Sequence, residues 1–250
     1  MNNNYLNGKV GVVTGSTSGL GLEIAKFMAL NNSRVGINGK NSAKVKEISD
    51  SSKQFFPLAF DALSLKSINS AVERLKSEIG LIDYLICNIG GGAFPSEIPE
   101  VDRLKYMLDL NLHTAANVLS SFLGVLRPGL SSVVVISSIA AFGNTDAPHE
   151  YSLAKEALNT FASHRAKELA RIGIRLNIIS PGNLLFEGSV WDRRMKKDPD
   201  GTTEYISNRV PTGKFVSHEE IALCIAMMLD NRLINLVGAN IVIDGGQSIL

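Results

Sequence analysis

Cysteine is scarce: Cys87 and Cys224 are the only two, far apart and without C-x-x-C spacing. That argues against a disulfide framework, and both are expected as buried small hydrophobes. The four histidines, His113, His149, His164 and His218, show no ligand spacing, so no zinc or catalytic metal is expected. An excess of charge is also missing. Lys and Arg number 25 against 24 Asp and Glu, a net charge of +1, which argues against nucleic acid as a partner. No apolar run approaches the roughly 18 residues of a membrane span. Met1 to Gly8 is polar and Asn-rich and lacks the charged and apolar regions of a signal peptide. A cytosolic protein without a membrane partner is expected. No repeat, low-complexity tract or linker interrupts the chain, so residues 1–250 are expected to form one domain.

What is present is ordinary globular material, 45% hydrophobic over 250 residues, enough for one large α/β domain. Lys9 to Thr14 is a short β-branched run, as expected of a buried parallel strand. Thr14-Gly15-Ser16-Thr17-Ser18-Gly19-Leu20-Gly21 follows, and then apolar residues at helical spacing from Leu22 to Leu30. Strand, glycine-rich turn and helix together suit a pyrophosphate, because backbone N–H groups at a helix N-terminus face an anion. The spacing G-x-x-x-G-x-G is neither G-x-G-x-x-G nor a P-loop.

Arg34 to Asn38 reads as a second strand. Where an acidic residue would hold a ribose 2′-hydroxyl, the chain has Asn38-Gly39-Lys40-Asn41. Lys40 can pair with a 2′-phosphate, which favours NADP(H) over NAD(H). Ser42 to Ser52 reads as a polar helix. Phe55 to Phe60 reads as the third strand, ending at Asp61, which can either meet an adenine amino group or cap the next turn. Ser64 is expected to cap a helix to Ile79, with Gly80 ending it. Asp83 to Asn88 is the fourth strand, followed by Ile89-Gly90-Gly91-Gly92. Pro99 to Leu123 reads as one long helix. Asn111 interrupts its apolar pattern and needs a partner, either a water or a backbone kink.

Ser132 to Ser137 is the fifth strand, with Ser138 at its carboxyl end, where doubly wound sheets bind ligands. Glu150 to Arg171 is the next helix. Ile174 to Ser180 is the sixth strand, broken by Pro181-Gly182. Residues 183–210 break the rhythm. They hold Phe186, the single tryptophan Trp191 and several charges, and read as a substrate loop or lid. Arg193, Arg194, Lys196 and Lys197 could meet a phosphate or form a solvated face. Ser217 to Glu220 is a capping box for a helix from Ile221 to Leu229. Ala239 to Asp244 is the last strand.

Tyr151 and Lys155 are spaced to share one face of a helix. A phenol titrates near pH 10, and a neighbouring ammonium favours its ionised form. Such a pair can exchange a proton with a substrate hydroxyl or carbonyl.

Thr14-Gly15-x-x-x-Gly19-x-Gly21, Asp61, Asn88 before Gly90, Asn111, Ser138, Tyr151-x-x-x-Lys155, Pro181-Gly182 and Asp244-Gly245-Gly246 stand here in one order. In that combination the chain resembles the short-chain dehydrogenase/reductase family, in its compact branch that includes 3-oxoacyl thioester reductases, over roughly residues 6–247. The resemblance implies a Rossmann-type doubly wound α/β fold with a seven-stranded, mainly parallel sheet. It implies NADP(H)-dependent interconversion of a carbonyl and a secondary alcohol. Tyr151 would be the acid/base and Ser138 would orient the substrate oxygen. Lys155 would bind the nicotinamide ribose and lower the Tyr151 pKa, and Asn111 would position a water. Gly15 to Gly21, Lys40, Asp61, Asn88, Gly90, Pro181 and Gly182 would line the cofactor.

A homotetramer, or a homodimer, is implied in the same way. The chain departs from the family in three places. Cys87-Asn88-Ile89-Gly90 replaces N-N-A-G. No Thr follows Pro181-Gly182 at the usual place, where Asn183 to Gly188 stands. Residues 186–194 look more like a subgroup from bacterial surface-sugar and flagellin modification. The substrate is therefore expected to be a 3-oxoacyl thioester or a sugar or sugar-nucleotide ketone. A non-catalytic cofactor-binding protein would be expected to have lost Tyr151 or Lys155, and both are present.

Overall fold

The structure, a computed structural model, describes residues 5–143 and 145–249. Met1 to Asn4 of the polar N-terminal stretch lie outside the described residues. Seven strands form one sheet in the order β3-β2-β1-β4-β5-β6-β7. They are β1 (Val10–Val13), β2 (Arg34–Ile37), β3 (Phe55–Pro57), β4 (Tyr84–Cys87), β5 (Ser132–Ile136), β6 (Arg175–Pro181) and β7 (Asn240–Ile243). Every pairing is parallel, so the sheet is wholly rather than mainly parallel.

The connections are helical: α1 (Gly19–Leu30), α2 (Ser42–Asp50), α3 (Leu65–Glu78), α4 (Glu100–Leu108), α5 (Thr114–Phe122) and α6 (His149–Ala170). Three more follow: α7 (Val190–Lys197), α8 (Pro199–Arg209) and α9 (His218–Met228). Parallel strands need crossovers, and these helices cover both faces. Period-two alternation divides the core. Val133 and Val135 of β5 pack with Leu119 and Phe122 of α5 and with Leu158 and Ala162 of α6. Val134 and Ile136 point the other way, towards Ile24 and Met28 of α1 and Ile221 and Ile225 of α9. Cys87 belongs to the first of these layers, and burial pushes its thiol up to about 12, as fits a packing residue.

The expected caps are present. Ser64 Oγ accepts from the Ser67 N–H, and Ser217 and Glu220 form a reciprocal capping box.

Three expectations are corrected. The long helix from Pro99 is broken by a π-helical turn at Asp109–His113, which separates α4 from α5. A π turn leaves one residue too many for the regular ladder and re-aims side chains there, and Asn111 sits inside it. Residues 183–210 are not a loop throughout. Ser189 caps α7 and Asp198 caps α8, so two short polar helices fill most of the segment. Pro181 does not break β6. It pairs with Ile243, and the Gly182 N–H donates to the Ile243 carbonyl at 2.8 Å. Pro181 lies two residues past the last β5 pair, Ile136 with Ile179, so its missing N–H is tolerated at the end of that ladder.

Strand order reverses between β1 and β4. The carboxyl ends of these strands flank a crevice, the usual ligand position in such sheets. Thr14 to Gly21 leaves β1 there, and Asn88 to Gly92 leaves β4.

Candidate active site

The glycine turn is built for close approach. Gly15 and Gly19 have φ of +62° and +54°, which side chains beyond glycine rarely adopt. A Cβ on Gly21 would lie 2.5 Å from both the Gly15 carbonyl oxygen and Asn88 Nδ2, so only glycine lets α1 pack here. Ser18 precedes α1 but makes no side-chain capping bond, and the first turn holds no acidic residue. The first-turn N–H groups thus keep no side-chain acceptor, which suits an anion. The turn accordingly fits a dinucleotide pyrophosphate.

Asn38 is the residue that the sequence reading undervalued. It is fully buried. Its Oδ1 accepts from the Gly15 N–H at 3.0 Å, and its Nδ2 donates to the Leu58 and Phe60 carbonyls at 3.2 and 3.3 Å. One amide therefore ties the β1 turn to the segment after β3. A polar Asn directly after the buried Val35-Gly36-Ile37 run was the available signal. Ser16 completes the knot, donating to the Val13 carbonyl and accepting from the Asn38 N–H.

Asn88 acts similarly, through Nδ2 to the Thr14 and Gly15 carbonyls at 3.0 and 3.3 Å. Asp61 accepts from the Leu63 N–H at 2.9 Å and so caps the following turn. It also lies 3.3 Å from Lys40 Nζ, a pairing the sequence did not suggest. Both partners are open to solvent, so the pair adds little stability. Thr17 borders this corner, because a Cβ on Gly39 would meet its side chain at 2.9 Å. Leu20 is buried on the α1 side of the sheet.

Across the crevice, Asn111 is fully buried and bonded on three sides. Its Oδ1 accepts from the Gly91 N–H at 3.0 Å, and its Nδ2 donates to the Gly91 and Met107 carbonyls at 3.1 Å each. The side chain thus holds the β4 loop against the π turn. Gly90 leaves room for two groups at once. A Cβ there would be 2.7 Å from Asn111 Oδ1 and 3.0 Å from Lys155 Nζ.

Lys155 and Tyr151 project from the start of α6. Lys155 is 3% exposed, and its Nζ donates to the Ile136 carbonyl at 2.9 Å. Burial pushes its pKa down to about 7. The Tyr151 ring lies against Gly92, where a Cβ would be 3.3 Å from it. Burial raises the Tyr151 pKa, and a hydrogen bond with Ser138 opposes that rise. Ser138 follows β5 and accepts from the Ala140 N–H at 3.1 Å. Tyr151, Lys155, Ser138 and Asn111 are therefore gathered around the glycines of the β4 loop. Pro181 and Gly182 close the β6 side, where a Gly182 Cβ would be 2.8 Å from the Asp244 backbone.

The cap contributes aromatic groups. The Trp191 ring centroid lies 5.1 Å from that of Tyr205 and 5.6 Å from that of Phe215. Arg194 stacks over Trp191 at 4.9 Å and Tyr205 at 5.5 Å. Of the four cap cations, Lys196 pairs with Asp192, and Arg193 donates to the Gly188 carbonyl.

A hydroxyl, a phenol and an ammonium gathered beside an anion-ready turn suit hydride chemistry at a carbon–oxygen bond, the work of nicotinamide-dependent oxidoreductases. A family model described as enoyl-(acyl carrier protein) reductase matches residues 14–248. An uncharacterised oxidoreductase of Staphylococcus saprophyticus is 30% identical over 210 residues, 80% of this chain and 89% of the relative. A 3-oxoacyl-[acyl-carrier-protein] reductase of Chlamydia muridarum is 29% identical over 98% of this chain and all of its own length (100%). L-sorbose reductase from Gluconobacter frateurii, complexed with NADPH and L-sorbose, superposes with a TM-score of 0.85 at 25% identity, covering 97% of each chain. The chain belongs to the short-chain dehydrogenase/reductase family and is an NAD(P)-dependent oxidoreductase acting on CH–OH groups. Among the described residues no helix is long and apolar enough to cross a membrane.

Proposed function

We propose that this chain is an NADP(H)-dependent reductase and dehydrogenase of a small ketone and its secondary alcohol, with Tyr151 as the proton donor and acceptor. The observation that carries the reading is the half-buried Tyr151 phenol, hydrogen-bonded to Ser138 and one helical turn from a buried Lys155. When bound, the reduced nicotinamide supplies the hydride. Tyr151 donates its proton to the carbonyl oxygen in the reducing direction. A phenol whose pKa burial has raised stays protonated at neutral pH, as that step requires. Ser138 hydrogen-bonds the same oxygen and orients it.

Lys155 holds the nicotinamide ribose, and Asn111 keeps the loop at Gly90 and Gly91 in place beside it. Lys40 selects NADP(H) by pairing with a 2′-phosphate at the corner it shares with Asp61. The uncapped first turn of α1 receives the pyrophosphate.

Two substrate classes remain in this proposal. Similarity to a 3-oxoacyl thioester reductase favours a β-keto thioester. The rings of Trp191, Tyr205 and Phe215, together with the likeness to a sugar reductase, favour a sugar or sugar-nucleotide ketone. The deciding experiment follows NADPH oxidation against β-keto thioesters, sugar ketones, sugar nucleotides and simple ketones. Turnover with none of them, despite NADPH binding, would remove the enzymatic reading.

Assembly as a homotetramer, or a homodimer, in the cytoplasm completes the proposal. Leu104 on α4, Leu153 on α6, Met227 on α9 and Val242 on the edge strand β7 stay exposed and would be covered by it. Light scattering that returned the mass of one chain would exclude assembly.

A further inference from the structure

Residues 182–189 carry the chain from β6 to α7 across the carboxyl edge of the sheet. Within them, the Phe186 ring rests directly on the glycine turn. A Cβ on Gly19 would lie 2.8 Å from Phe186 Cε2, 3.3 Å from Cζ and 3.4 Å from Cδ2. On another side the ring meets His218, with centroids 5.4 Å apart. His218 Nε2 is buried and has no hydrogen-bond partner among the described residues.

An apolar ring here is chemically out of place. Gly19 is the first residue of α1, whose N–H groups lack a side-chain cap and call for an anion. Phe186 shields that helix end without offering an acceptor. The His218 nitrogen beside it is equally unmet, and an unpaired buried polar atom costs stability.

We propose that Phe186 is a plug for the dinucleotide cradle. Its ring competes with the pyrophosphate for the Gly19 turn and swings away when the cofactor docks. This inference rests on the nicotinamide reading given above.

The swing also reaches the substrate side. The Phe186 N–H donates to Ser189 Oγ at 3.3 Å, and the Ser189 N–H donates to the Phe186 carbonyl at 2.9 Å. The same Ser189 Oγ caps α7 by accepting from the Asp192 N–H at 2.9 Å. The next residue but one is Trp191, packed on Tyr205, whose hydroxyl hydrogen-bonds Asp146 in the segment leading into α6. A ring swing that also shifts the Phe186 backbone would therefore pull on the start of α7 and on the cap beside the helix that carries Tyr151. Cofactor docking and cap position are coupled through one short, hydrogen-bonded stretch of chain.

Trp191, the single tryptophan, supplies a readout independent of turnover. NADPH is titrated into cofactor-free protein by calorimetry, and its association is followed in stopped flow by Trp191 emission. A plug lowers apparent affinity by the fraction of molecules that are open. Phe186→Ala and Phe186→Thr should then bind NADPH about three- to tenfold more tightly. The observed association rate of the native protein should level off with rising NADPH at the rate of ring opening. In the variants it should stay linear.

Equal or weaker binding by both variants, with a linear rate in the native protein, would overturn the plug and make the ring a cofactor contact. Should either variant melt early, the native protein decides: a rate that levels off supports the plug, and a linear rate overturns it. Failure of the native protein to bind NADPH or NADH at all would instead remove the nicotinamide reading itself.

Discussion

Lys155 Nζ lies 5.8 Å from the centroid of the Tyr151 ring and donates to the Ile136 carbonyl at the end of β5. The ammonium is thus anchored to the sheet and sits beside the ring face. Burial is the leading influence on both groups, lowering the Lys155 pKa to about 7 and raising that of Tyr151. The hydrogen bond with Ser138 opposes the rise at Tyr151.

Tyr151→Phe removes only the hydroxyl from a ring packed against Gly92. Turnover should fall by about 10²- to 10⁴-fold, the usual worth of a positioned proton donor. NADPH affinity by calorimetry should stay within about twofold. Activity within a few-fold of the native protein would exclude the role.

Lys155 also predicts how stability depends on pH. The unfolded chain keeps the lysine proton up to the ordinary 10.5, whereas the fold releases it near 7. Between those values the unfolded state binds more protons, so stability from this group rises with pH across that window. Tyr151, with its raised pKa, acts only above about pH 10 and in the opposite direction. Melting temperatures of cofactor-free protein should climb from pH 7 to 10, and Lys155→Met should flatten the climb. Parallel profiles for the two proteins would contradict this.

Gly90→Ala places a methyl group 2.7 Å from Asn111 Oδ1 and 3.0 Å from Lys155 Nζ. Neither partner is a free surface group. The overpacking should cost about 1–3 kcal/mol of stability in chemical denaturation. It should also lower kcat, because the displaced lysine and loop border the phenol. An unchanged midpoint would mean that the loop yields freely.

Asn38→Ala deletes the amide that joins the Gly15 N–H to the Leu58 and Phe60 carbonyls. Leaving such buried groups unpaired costs about 1–3 kcal/mol. Because the turn itself loosens, NADPH and NADH should both bind less tightly. A stability loss with both affinities intact would confine Asn38 to the fold.

Lys40→Ala separates the two cofactors. Losing one charged hydrogen bond to a 2′-phosphate, worth about 1.5–3 kcal/mol, should weaken NADPH by roughly ten- to a hundredfold. NADH should change by less than about twofold. Equal losses would show that Lys40 does not face the 2′ position.

The sheet, its alternating helices and the turn at Gly15 to Gly21 were legible in the sequence. Short β-branched runs and glycine spacing are local signals, governed by sterics within a few residues. Tyr151 and Lys155 were legible for the same reason, since helical periodicity puts them on one face. Asn111 was recognisable only as an anomaly. Its π turn and its bonds to Gly91 depend on a loop twenty residues away in the chain. The cap helices α7 and α8 were missed because both are short and polar and Pro199-Asp200-Gly201 between them reads as a turn. What holds them is contact, Trp191 on Tyr205 and Phe215.

The residues thus determined by themselves which chemistry is present and in what order. Tertiary packing decided which groups are buried, and burial sets the direction of both pKa shifts. It also decided that Asn38 would tie the glycine turn to the segment after β3, and that the Phe186 ring would rest on Gly19. Those are contacts between segments distant in the chain, which no local pattern encodes.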